Sequence, residues 1–293
     1  MHPIDVPHLH RRVLTWYDDH RRALPWREPG AGAWAVLVSE VMLQQTPVAR
    51  VLPAYDAWMS RWPAPSALAA EPPGEAVRMW GRLGYPRRAL RLHAAATVID
   101  RDYGDVLPAS YAELRALPGV GDYTANAVLA FAYRQRAPVL DTNVRRVHAR
   151  IINGAEFPPT AVTAAERGAA EALLPAASET AATWSVAVME LGALICVARA
   201  PKCAACPVAE LCAWRADGYP PHAGPPRRSQ TYSGTDRQCR GRILALLRAT
   251  DDSVDPAGIR ATWPDEPQRD RALQSLLDDG LVVRRPDGTL GLP

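Results

Sequence analysis

From Trp34 to Tyr55 the apolar residues keep helical spacing, with Leu37 and Val41 in one run and Val48, Val51, Leu52 and Tyr55 in the next. The pattern predicts two helices broken in Leu43-Gln44-Gln45-Thr46, with Thr46 as N-cap and Pro47 at the first position of the second helix. Amphipathic stretches predict further helices over roughly 66–80, 87–101, 110–116, 122–133, 143–152, 161–174 and 181–196, and no alternating strand pattern occurs before residue 280. The longest apolar stretch, 181–198, is interrupted by Glu190 and reads as a buried helix rather than a membrane span. Residues 216–235, with Gly218, Pro220, Pro221, Gly224, Pro225, Pro226 and Gly234, read as a linker. After it, Gln238–Arg248, Asp255–Thr262 and Gln268–Asp279 read as helices, and a Pro286-Asp287-Gly288 turn closes a hairpin between Leu281–Arg285 and Thr289–Leu292. Three helices and a hairpin is the order of a winged helix. The expectation is an all-α fold: a helical domain over 1–215, a linker over 216–235 and a small winged-helix-like domain over 236–293.

Composition narrows the class. With 293 residues, 48% hydrophobic and 22% charged, the chain fits about two globular domains; wholesale disorder, collagen and a disulfide-scaffold miniprotein are excluded. The first residues lack the apolar core of a secretory signal, so a cytoplasmic location is expected. The net charge is only +3, but 33 of the 34 basic residues are arginine and Lys202 is the one lysine, so any chemistry needing a lysine has one side chain to draw on. Arg78, Arg82, Arg87, Arg88 and Arg91 form one acid-free run; Arg134, Arg136, Arg145, Arg146 and Arg150 surround the single acid Asp141. One such run is usually a solvated helix face, whereas two together point to a polyanion partner such as nucleic acid.

Four of the five cysteines fall within 17 residues, as Cys196-x6-Cys203-x2-Cys206-x5-Cys212. Nothing indicates secretion, so a metal site is a better reading than two disulfides. Four-cysteine zinc sites usually consist of two separated CxxC knuckles. One C-x2-C flanked by single cysteines suits an iron–sulfur cluster better, with zinc as the alternative. Cys239 lies outside the set. Arg199, Lys202 and Arg215, in or beside the loop, could hold phosphates or offset thiolate charge.

Leu117-Pro118-Gly119-Val120-Gly121-Asp122-Tyr123 is a glycine-rich turn entering an apolar helix, which would let backbone N–H groups approach a phosphate; a plain helical hairpin is the other reading. Asp141 is placed to cap the helix of Val144, Val147 and Ile151. Glu40 lies in the apolar run Val36–Leu43; facing inward, its carboxyl would be raised by desolvation and could act as a general acid.

Together these features resemble the helix-hairpin-helix DNA glycosylase superfamily, endonuclease III branch, and more narrowly its A/G-specific adenine DNA glycosylases (MutY). The resemblance rests on Leu24-Pro25-Trp26-Arg27, Ser39-Glu40-Val41-Met42-Leu43-Gln44-Gln45-Thr46, Leu83-Gly84-Tyr85, the hairpin with Tyr123, Asp141-Thr142-Asn143-Val144, Glu190-Leu191-Gly192-Ala193 and the cysteine loop, in family order across 24–212. It implies a monofunctional base-excision repair enzyme that hydrolyses the glycosidic bond of adenine mispaired with 8-oxoguanine or guanine. Glu40 would protonate adenine, Asp141 would stabilise positive charge at C1′, and Tyr123 and Asn143 would support the intermediate. Gln45 and Tyr85 would wedge the duplex where adenine is flipped out, with Trp26, Arg27, Gly119 and Gly121 as further DNA or substrate contacts. Cys196, Cys203, Cys206 and Cys212 would hold a [4Fe–4S] cluster that is structural or DNA-sensing and takes no part in hydrolysis. The implied partner is mispaired double-stranded DNA, with the chain a monomer near the bacterial nucleoid.

Two departures qualify this. Val186 replaces the Gln or Glu that many relatives carry four residues before Glu190, which removes a polar contact near the adenine pocket. The tail is also too short for the Nudix-like domain that helps relatives recognise 8-oxoguanine. An endonuclease III-like pyrimidine glycosylase/lyase and a catalytically silent iron–sulfur DNA-binding protein remain as alternatives. The lyase needs an amine nucleophile, and this chain has Tyr123 where the bifunctional relatives have lysine.

Overall fold

The computed structural model describes residues 4–222, 224, 232–250 and 252–293, so the predicted linker lies partly outside the described residues. The helices run in chain order as α1 (Val6–His20), α2 (Gly32–Leu43), α3 (Val48–Arg61), α4 (Pro65–Ala69), α5 (Pro73–Trp80), α6 (Arg87–Tyr103), α7 (Tyr111–Ala116) and α8 (Asp122–Phe131). They continue with α9 (Thr142–Ile151), α10 (Ala164–Ala172), α11 (Ser178–Leu194), α12 (Ala213–Ala216), α13 (Asp236–Arg248), α14 (Pro256–Arg260) and α15 (Glu266–Asp278). The strands among the described residues are the antiparallel pair β1 (Val283–Arg284) and β2 (Leu290–Gly291), with Val283 opposite Gly291. The all-α expectation holds.

Contacts divide the chain into two units. The first comprises Met1–Val36, Ala109–Arg115 and Val120–Pro226. In its core, Leu9, Val13, Trp16 and Tyr17 of α1 join Val144, Val147 and Ile151 of α9 and Trp184, Val188 and Leu191 of α11. Sequence periodicity passed over α1, although its signal is present: Asp5 caps it by accepting from the His8 N–H at 2.9 Å, and Pro7 enters its first turn.

The second unit comprises Leu37–Pro108, Ala116–Gly119 and Arg227–Pro293. Three buried tryptophans meet edge to face, Trp58 with Trp62 at 4.6 Å and with Trp80 at 5.7 Å. The predicted single helix over 66–80 is two, α4 and α5, because Pro72-Pro73 removes two donors and drives the preceding backbone out of the helical region. Thr46 is not the N-cap of α3. Pro47 holds that position with no side-chain cap, and the Thr46 hydroxyl lies 3.2 Å from the Gln44 carbonyl and 3.1 Å from that of Leu83. The neighbouring Gln44 carbonyl and the distant Leu83 carbonyl, brought close by tertiary packing, outcompete the local cap. In the tail, Cys239, Ile243, Leu244 and Leu247 of α13 are buried, as are Ala272 and Leu276 of α15 and Leu281 and Val282 beyond it. A bridge from Val254 to Leu290 widens the hairpin. Arg78 of α5 donates to the carbonyls of Arg248 (2.6 Å) and Thr250 (2.9 Å), and Arg248 donates back to Val77 (2.9 Å), fastening the tail to α5.

Candidate functional site

Glu40 sits on α2 among Leu37, Val38, Val41 and Met42, all buried, and is itself only 4% exposed. The helix is apolar on every side, as a fully packed helix requires. An acid at such a position is held by its partners and is a candidate for chemistry.

Asp141 caps α9 as predicted. One carboxylate oxygen accepts from the Val144 N–H at 2.6 Å and the other from the Asn143 amide at 2.8 Å. Burial pushes its carboxyl above the ordinary aspartate value; these hydrogen bonds and the nearby Arg146 charge oppose the shift without cancelling it. Asn143 is fixed from its other side by Arg146, which donates to its amide oxygen at 2.8 Å. Arg146 also donates to the carbonyls of Gly192 (2.7 Å) and Cys196 (2.7 Å). Gly192 permits this closeness, because a Cβ there would stand 2.7 Å from Asn143 Cβ. Tyr123 lies half-buried in the first turn of α8.

The four cysteines of the 196–212 loop line one cavity with Arg150, Leu191, Ile195 and Trp214. Burial raises the Cys206 thiol to about 11 and also raises the Cys212 thiol, and the neighbouring cysteines add to both shifts. Uncompensated thiolates would repel one another here, so the donor set fits a group that supplies positive charge. Arg150, 1% exposed, lies with Nη1 3.4 Å from Cys196 Sγ and donates to the Val197 carbonyl at 2.8 Å. Its guanidinium stacks on the Trp214 ring at 4.5 Å. Among the described residues no group of three or more ligand-type side chains is drawn together as for one metal ion. A single tetrahedral zinc would hold its sulfurs about 3.8 Å apart.

The residues expected to contact DNA are dispersed. Gly119 takes φ +79° in the hairpin turn, where a Cβ would meet Arg91 Cβ at 2.7 Å, and Gly121 is exposed, extended backbone. Gln45 and Tyr85 are exposed and both left-handed, with φ of +55° and +48°. Trp26 is buried, and Arg27 faces inward to the fully buried Glu190. Arg22 Nη2 (2.7 Å) and Arg27 Nη2 (2.9 Å) both reach Glu190 Oε2. Burial would raise that carboxyl, but the two arginines outweigh it and bring it down to about 2.

The arginine runs are only partly available to a polyanion. Arg88, Arg146 and Arg150 are buried on internal carbonyls. Arg134, Arg136 and Arg145 pair with Glu179, Glu171 and Glu166. The sequence shows the charges but not these acids, which lie more than twenty residues away. Arg199, Lys202 and Arg215 are exposed; Arg215 lines the cavity of the four sulfurs together with the buried Arg150, whose Nη1 is 3.4 Å from Cys196 Sγ. Nothing local in the sequence shows that Arg88 and Arg146 turn inward or that Arg22, Arg27 and Glu190 form one set.

A family model described as HhH-GPD superfamily base excision DNA repair protein matches residues 38–168, and the iron-sulfur binding domain of endonuclease III matches residues 196–212. The adenine DNA glycosylase of Mycobacterium tuberculosis is 55% identical over 282 residues, 96% of this chain and 92% of that protein. The adenine DNA glycosylase of Mycolicibacterium smegmatis is 52% identical over 282 residues, 96% of this chain and 94% of that protein. The solved structure of a thermostable thymine-DNA glycosylase superposes with a TM-score of 0.66 at 28% identity, covering 72% of this chain and 97% of that one.

Proposed function

The chain belongs to the adenine DNA glycosylases of the helix-hairpin-helix base excision repair superfamily, and from that premise we propose that it is a monofunctional enzyme that hydrolyses adenine from mispairs with 8-oxoguanine or guanine. Glu40 gives its proton to a ring nitrogen of adenine, the C1′–N bond breaks with its electron pair leaving on the base, and the Asp141 carboxylate faces the cation at C1′. Water then adds at C1′, its proton passing to Asp141. Two carboxylates of opposed protonation state are what such a cleavage needs.

The observation that carries the reading is Asp141 itself. It holds its Val144 cap and its Asn143 bond while burial makes its charge expensive. A charge fixed in place and poorly solvated interacts strongly with a cation that forms beside it. Tyr123 and Asn143 support that intermediate, and Gln45 and Tyr85 wedge the duplex, with Gly119 and Gly121 on the phosphate backbone and Trp26 and Arg27 positioning the site from within.

Cys196, Cys203, Cys206 and Cys212 hold the [4Fe–4S] cofactor of this family. The cluster would supply positive charge to a half-buried thiolate set and hold the loop closed. We further assign 1–215 as the glycosylase domain, 216–235 as its linker and 236–293 as a winged-helix-like domain, in a monomer that works in the cytoplasm at the nucleoid. Among the described residues no helix is long and apolar enough to cross a membrane.

The test is to incubate the protein with duplexes carrying adenine opposite 8-oxoguanine, adenine opposite guanine, and thymine glycol. Adenine release with strand breaks only after alkali supports the proposal; thymine glycol release with spontaneous nicking overturns it.

A further inference from the structure

The two proposed wedge residues share an anchor. Gln45 and Tyr85 both hold φ values that L side chains rarely adopt, and Tyr85 is 51% exposed. The carbonyl in front of each accepts from one guanidinium: Arg88 Nη1 donates to Gln44 O at 2.6 Å, and Nη2 donates to Gly84 O at 3.1 Å. Nη1 also donates to Val41 O at 2.7 Å and Met42 O at 3.2 Å, the last turn of the helix that carries Glu40. Nη2 further donates to the Thr46 hydroxyl at 3.2 Å. The guanidinium lies against the Trp80 and Tyr85 rings, at 5.3 and 5.4 Å.

Arg88 is 8% exposed, and among the described residues no carboxylate pairs with it. A buried cation held only by carbonyls, a hydroxyl and rings is costly, and a helix end needs no such group, since water or a local cap would serve. Only a forked, planar donor set reaches both loops at once. We propose that Arg88 is a positioning residue for base extrusion: it locks the Gln45 and Tyr85 turns in their left-handed conformations and ties both to the end of the Glu40 helix. The two wedges then enter the duplex as one rigid part, with no separate ordering step for each. This rests on the wedge roles proposed above for Gln45 and Tyr85.

The experiment compares two substrates under single-turnover conditions with the full chain. One carries adenine opposite 8-oxoguanine in a stacked duplex. The other carries adenine opposite a tetrahydrofuran abasic analogue, where extrusion costs less. Arg88→Lys keeps the charge and loses the fork. It is expected to slow excision from the stacked duplex by roughly tenfold to a hundredfold, the cost of misplacing groups by about an ångström. On the abasic analogue the loss should be within about threefold, because little unstacking remains to be driven. With 2-aminopurine in place of the adenine, the fluorescence rise on saturating binding should fall in step.

An equal loss on both substrates would mean that Arg88 merely supports the Glu40 helix, and wild-type behaviour would mean that it does nothing; either overturns the inference. If circular dichroism shows that Arg88→Lys does not fold, Thr46→Val removes one bond of the same anchor. It should show the same substrate contrast at roughly fivefold, the worth of a typical hydrogen bond; an equal loss on both substrates, or none, overturns the inference there too. Tyr85→Ala and Gln45→Ala run alongside. If they impair excision while Arg88→Lys does not, the anchor alone is refuted; if both are silent, the wedge reading falls and the anchor with it.

Discussion

Glu190→Gln is the substitution whose cost the structure sets most directly. Glu190 is fully buried at the centre of Arg22 and Arg27, and its carboxyl is held at about 2 rather than 4.5. At 1.36 kcal/mol per pH unit, that difference corresponds to roughly 3 kcal/mol of folding stability at neutral pH. Glutamine keeps the shape but turns an amide N–H₂ toward guanidinium donors, leaving two cations without their anion. Removal of one partner from a buried pair costs about 3–5 kcal/mol in other proteins, so the two estimates agree. For a unit of this size the loss should lower the melting temperature by roughly 6–12 °C. The pH dependence gives the sharper test. A carboxyl depressed by folding stabilises the fold above its unfolded value, near 4.5, and the contribution is lost as pH falls toward 2. Urea unfolding of wild type and variant should therefore differ by about 3 kcal/mol at pH 7 and by only about 1 kcal/mol at pH 3. A gap below about 1 kcal/mol at neutral pH, or one that stays constant with pH, would refute the reasoning. A large loss of DNA affinity in a variant still folded at the assay temperature would instead show that the triad serves binding.

Four further outcomes follow from the site. Glu40→Gln should keep duplex binding while single-turnover excision falls ~10²–10⁴-fold, since glutamine cannot deliver a proton; near-normal excision would remove Glu40 from its role. Asp141→Asn should lose excision without losing stability, because asparagine can still cap α9 and burial makes the aspartate charge costly to the fold; a matching fall in melting temperature would return Asp141 to plain capping. Gly192→Ala pushes a methyl to 2.7 Å from Asn143 Cβ, and should cost about 1–3 kcal/mol and slow excision by moving Asn143; a wild-type rate would show that Asn143 placement is not limiting. Borohydride should trap little protein on DNA, since Lys202 is the one lysine and lies exposed beside Cys203; efficient trapping that vanishes in Lys202→Ala would make the enzyme a lyase.

The sequence by itself determined what depends on neighbouring residues. Helical periodicity located most helices, Asp141 announced its cap by type and position, and four cysteines in 17 residues fixed a thiolate site. The order of motifs gave the family, because chemistry constrains which residues recur at which spacing. Local sequence misleads where local and distant partners compete. Thr46 looked like a cap until Leu83 and Arg88 supplied other partners. The two arginine runs point to a polyanion partner, but Arg88, Arg146 and Arg150 turn inward to carbonyls, while Arg134, Arg136 and Arg145 meet distant glutamates. A guanidinium at the end of a long side chain can reach across a packed interface, so its partner is set by what the fold brings near and not by what precedes it in the chain. Only the tertiary structure, therefore, could separate the arginines held by internal partners from those left exposed.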